Sequence, residues 1–109
     1  MAYIFLFKNR NTAKFTLHGP DSAIEQMLPH INQMLSDCSL DPNVKEPCQF
    51  KLTKPEIWTL NHHVTGDYTN LISCRMANLM YAHGYILDKH SYQTTEELFV
   101  FFKDINKAK

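Results

Sequence analysis

The chain has 109 residues, 44% of them hydrophobic, 12% aromatic and 20% charged. That length holds one domain, and so large an apolar share at zero formal charge excludes a mostly disordered chain. Eleven basic residues balance eleven acidic ones, so no global field draws the protein to nucleic acid or an anionic membrane, and no window reaches the roughly 20 apolar residues that span a bilayer.

Tyr3 to Phe7 is an apolar run with no basic stretch before it and no small-residue cleavage site after it, so it fails as a secretory signal and reads as a strand. The polar cluster Lys8 to Thr12 ends it. Ala13 to His18 then alternates, Phe15 and Leu17 on one side and Lys14, Thr16 and His18 on the other, which predicts the second strand of a hairpin. Gly19 and Pro20 break that strand. Ser22 and Glu25 have capping-box spacing, and Ile24, Met27, Leu28, Ile31, Met34 and Leu35 keep helical spacing to a helix end near Asp37. Pro29 inside this pattern predicts a kink or an early break. Residues 38–47 hold two prolines and no period, and are expected to form a long loop.

Gln49 to Thr53 alternates as a third strand. Pro55 opens Glu56 to Leu60, a segment equally compatible with one helical turn and an extended edge. After Gly66, with Thr65 or Asp67 as cap, Tyr68, Leu71, Ile72, Met76, Leu79, Met80 and His83 repeat at helical spacing, and Gly84 stands where a left-handed C-cap is needed. Tyr85 to Leu87 restarts as a strand, the polar stretch Asp88 to Glu96 turns the chain, and Leu98 to Phe102 is a final strand without polar alternation. Residues 103–109 are expected to fray. The order ββαβαββ predicts a single α+β domain over residues 1–109: a mainly antiparallel sheet of about five strands with two amphipathic helices on one face.

Cys38, Cys48 and Cys74 are odd in number and form no CxxC pair, which points to a reducing, cytoplasmic setting. Cys74, inside a helical apolar pattern, reads as a small buried hydrophobe, and a Cys38–Cys48 bridge across the turn-rich loop is conceivable but disfavoured in the absence of an export signal. The six histidines show no HxH or HExxH spacing, so no metal and no cofactor are expected, and a site such as His62, Cys74 and His83 would have to be assembled by the fold. Three scattered glycines exclude Rossmann and P-loop phosphate motifs.

Two surfaces remain as candidates. The segment from His62 to Tyr68 is the most chemically loaded loop, and His62, His63, Asp67 and Tyr68 are its candidate ligand-binding or acid–base residues, against a reading as a helix-capping turn with solvated imidazoles. The wholly apolar strands give the other. With helices on one face only, their second face is left for a partner, and Tyr3, Phe5, Phe7, Trp58, Phe99 and Phe101 are the expected interface residues. The favoured reading is a small cytoplasmic, non-enzymatic binding module that self-associates or docks a protein on its sheet. A catalytic pocket at the His62–Tyr68 loop is the first alternative. An RNA-binding sheet, hinted at by Lys14, Phe15 and Lys51, is the second, disfavoured by the neutral charge.

Overall fold

A computed structural model describes residues 2–9, 11, 14–37, 48–61 and 66–104; the side chains of Asp37, Gly66, Asp67 and Tyr68 are outside that description. The elements run β1 (Ala2–Asn9), β2 (Lys14–His18), α1 (Asp21–Asp37), β3 (Phe50–Lys54), β4 (Ile57–Leu60), α2 (Gly66–Ala82), β5 (Ile86–Tyr92) and β6 (Glu96–Lys103). Every strand pairs antiparallel, in the order β3-β4-β2-β1-β6-β5. The α+β sandwich is as expected, with one strand more than the sequence suggested.

That strand is β4. Lys54 pairs with Ile57, so Pro55 and Glu56 form a two-residue hairpin turn instead of opening a helix. Glu56 takes a φ of 64°, rare for a residue with a side chain, and its neighbours hold it there. Its backbone N–H donates to Asp21 Oδ1 at 3.1 Å, and its carbonyl accepts from the Gly19 N–H at 3.1 Å. Because Asp21 also accepts from Trp58 Nε1 at 3.3 Å, the start of α1 is tied to the β3–β4 hairpin.

The core lies between one side of the sheet and both helices. Strand alternation sends Ile4, Leu6, Phe15, Leu17, Trp58, Leu60, Phe99 and Phe101 to that side, where they meet Ile24, Met27, Ile31 and Leu35 of α1 and Ile72, Met76 and Met80 of α2. Helix α1 begins at Asp21, with the Pro20 carbonyl accepting from Ala23 and Ile24, so Ser22 lies within the first turn and is not the cap. It also runs unbroken through Pro29. The carbonyl that Pro29 leaves without its usual donor belongs to Glu25, and both residues are on the exposed side of the helix, so the lost bond does not fall inside the core. Helix α2 starts at Gly66, which places Asp67 inside its first turn; Thr65 is outside the described residues.

The end of α2 follows its sequence signal closely. Gly84 has a φ of 90°, its N–H donates to the Tyr81 carbonyl at 3.0 Å, and the Tyr85 N–H donates to the Met80 carbonyl at 2.9 Å. This is a Schellman ending, and the accompanying apolar contact is supplied by buried Met80 and Tyr85. Strand β5 runs on to Tyr92, five residues beyond the expected Leu87. Those residues are polar because β5 is an edge strand, exposed along its length and interrupted by a register shift between Leu87 and Lys89.

Candidate functional site

The strands that build the core expose a second face. On β1 the outward positions are Tyr3, Phe5, Phe7 and, at its end, Asn9, and on β6 they are Glu96, opposite Asn9, then Leu98, Val100 and Phe102. The register sets them in rows: Tyr3 opposite Phe102, Phe5 between His18 and Val100, and Phe7 between Thr16 and Leu98. Rings touch along this strip, with centroids 5.2 Å apart for Tyr3 and Phe102, 6.3 Å for Tyr3 and Phe5, and 4.7 Å for Phe7 and His18. Ile86 extends the strip onto β5 and is 53% exposed, while Tyr3 is 42% exposed. Neighbouring rings already cover Val100, at 8% exposure. Lys14, Lys51 and Lys89 lie at outward positions flanking the strip, so its centre carries no charge.

Strand pleating therefore divides the six expected interface residues. Tyr3, Phe5 and Phe7 are on the open face. Trp58, Phe99 and Phe101 are not: they point to the helices and are buried in the core, which removes them from any surface a partner could touch. The same rule removes Phe15, fully buried, from the open face that carries Lys14 and Lys51.

The other candidate, the His62–Tyr68 loop, is placed only in part. Asp67 and Tyr68 belong to the first turn of α2, and their side chains, together with all of His62, His63 and Cys38, are outside the described residues. Cys74 is a free thiol, exposed on α2, not buried as its apolar neighbours suggested. Cys74 and His83 are nine positions apart, about 13 Å along a helix axis, so they cannot share one ion. Among the described residues no group of three or more His, Cys, Asp or Glu converges.

Two polar clusters were not legible in the sequence. Under α2, where β1, β6 and β5 run side by side, Lys8 and Glu97 are both buried. Lys8 Nζ is 3.4 Å from Glu97 Oε1 and donates to Asn70 Oδ1 at 3.3 Å; Glu97 Oε2 is 2.5 Å from His90 Nε2. The His90 ring stacks on Phe99, centroids 4.3 Å apart, and touches Tyr92. Burial by itself would raise the Glu97 pKa, but the hydrogen bond from His90 and the Lys8 charge outweigh it and hold the carboxyl below its ordinary value. A carboxylate that orients an imidazole is half of a catalytic arrangement. The buried ammonium on the other oxygen makes this one an ion pair that closes the layer between sheet and helix. Alternation places Lys8, Glu97 and Lys103 as the charged residues at inward positions of β1 and β6, but it does not say that Lys8 and Glu97 meet.

The second cluster joins the helices. His30 of α1 and His83, just past α2, have ring centroids 5.3 Å apart with planes tilted by 44°. Burial, then His30, then Lys103 lower the His83 pKa. Lys103 Nζ stands 5.5 Å from the centre of the Tyr85 ring, whose hydroxyl pKa burial raises.

No protein-family model matches the sequence, and no curated protein matches it. The fold is similar to that of a conserved kinetoplastid-specific protein from Trypanosoma cruzi, known from its crystal structure, with a TM-score of 0.68 at 12% identity, covering 95% of this chain and 97% of that one. At that identity the likeness establishes the architecture: a two-layer α+β domain of the same size. Among the described residues no helix is long and apolar enough to cross a membrane.

Proposed function

We propose that this chain is a non-enzymatic binding module of a cytoplasmic setting that pairs with a second copy of itself through the open face of its sheet. The observation that carries the reading is the uncharged aromatic and aliphatic strip of Tyr3, Phe5, Phe7, Leu98, Val100 and Phe102, on which no described helix packs. Its anatomy is that of an interface, an apolar centre with a polar rim. Its size also fits. Strands β2, β1, β6 and β5, five to eight residues long, at about 4.8 Å spacing and about 3.4 Å rise give a face of roughly 450 Å², so two copies bury roughly 900 Å², close to the ~1,000 Å² at which a specific interface begins. Zero formal charge lets identical copies approach without net repulsion.

Sedimentation equilibrium across a hundredfold concentration range tests this. The expected mass rises from 12.7 kDa toward twice that value, and Phe5→Lys with Tyr3→Lys holds the protein at 12.7 kDa with its fold intact. A wild-type protein that stays at 12.7 kDa at every concentration overturns the reading. Salt-sensitive binding of single-stranded RNA by such a monomer, lost on replacing Lys14 and Lys89, would assign the face to nucleic acid instead.

A further inference from the structure

We infer that His30 and His83 form a two-histidine clamp for a late first-row divalent cation, bridging α1 to the C-terminal end of α2. A metal–imidazole bond of about 2.0–2.1 Å and a tetrahedral angle at the ion place the centres of two bound rings roughly 5 Å apart. The observed 5.3 Å matches that spacing before any ion is added, and the tilted planes differ from the parallel stacking of His90 on Phe99.

The surroundings bear on affinity in both directions. His83 follows the last residue of α2, where the negative end of the helix dipole favours a cation, and the last turn of α2 holds no basic side chain to occupy that field. Lys103 opposes it. Among the described residues no third His, Cys, Asp or Glu joins the pair, so water completes the coordination sphere and the site is a weak one. Nitrogen ligands order the cations as Zn²⁺ and Ni²⁺ below Cu²⁺. Because one ligand is on α1 and the other follows α2 directly, a bound ion cross-links the helix layer and stabilises the folded state.

The test uses the full chain, free of any affinity tag and reduced, with Zn²⁺ and Ni²⁺ as redox-inert probes. Metal at ten times its dissociation constant makes the folded state about elevenfold more favoured and raises the melting midpoint by roughly 6 °C, reversibly on chelation. His30→Gln and His83→Gln each abolish the shift, whereas His18→Gln and a His62→Gln/His63→Gln double variant keep it. Ni²⁺ broadens the imidazole NMR signals of His30 and His83 first. No shift at millimolar metal, a shift that survives in both single variants, or broadening that begins at His62 and His63 each overturns the clamp. Both substitutions are at partly or fully exposed positions, and the metal-free midpoint of each variant shows that it still folds.

Discussion

The two faces of β1 and β6 are built from the same residue types and have opposite fates. Ile4, Leu6, Phe99 and Phe101 are at most 8% exposed beneath the helices, while Tyr3, one residue from Ile4, is 42% exposed. A period-2 strand cannot place neighbouring side chains on one side, so a run that is apolar at every position must present an apolar surface twice. Only one of those surfaces is covered by this chain's own helices. Aromatic content alone therefore cannot separate core from interface, and the pairing register does.

The sharpest break in that comparison comes from truncating one residue on each side. Phe101→Ala is expected to cost about 3–5 kcal/mol, because it empties a fully enclosed site between β6 and the helices that cannot collapse without moving both layers. Denaturant melts with an unchanged m-value would measure it.

Next in size is the charged exception on the covered face. Glu97→Gln leaves the Lys8 ammonium buried with Asn70 as its remaining partner and should cost about 2 kcal/mol, toward the lower side for buried pairs because His90 is partly open to water. The pH dependence has a definite sign. The folded-state pKa of Glu97 lies below its ordinary 4.5, so its contribution is complete above that value and is lost as pH falls through the lowered one. Acid titration of stability should therefore be shallower in Glu97→Gln than in the wild type. Equal acid limbs would show that the pair does not hold the layers together.

Much of this division is legible in the sequence, and the parts that are not share a cause. Local signals located α1, the Gly84 ending of α2 and the alternation of β2, because each depends on residues within a few positions of one another. Strand β4 is ambiguous in sequence because Pro55 suits a helix start as well as a turn, and the choice is made by Asp21 and Gly19, some 35 residues away in sequence. The outer half of β5 looked like a turn because an edge strand exposes polar residues as a loop does. Trp58, Phe99 and Phe101 are like Tyr3 and Phe5 in composition, which counts rings, and only the pleat assigns each ring a side. The Lys8–Glu97–His90 cluster and the His30–His83 pair join residues from different elements, which no spacing rule reports.

Gly84 tests the connection between the layers at a smaller scale. A methyl group there meets Lys103 Cε at 3.2 Å and must adopt a φ of 90°, so Gly84→Ala should cost about 1–2 kcal/mol, more than the few tenths that a fraying helix end would register. Hydrogen exchange at Tyr85, whose amide closes the Schellman ending, would show whether the loss is local to this junction.

The smallest expected effect belongs to the open face and defines it. Phe7→Thr keeps a strand-forming residue at a half-buried outward position beside Thr16 and Leu98, and should change the unfolding free energy of the dilute monomer by less than about 1 kcal/mol. Its consequence should appear in concentration dependence instead. If a second copy covers this face, the wild-type melting midpoint rises with protein concentration because association draws on the folded state alone, and Phe7→Thr flattens that rise while leaving the dilute value in place. A loss in dilute Phe7→Thr as large as that of Phe101→Ala would mean that the outward strip stabilises the single chain as a second core, and the contrast between the two faces of the sheet would be one of exposure alone.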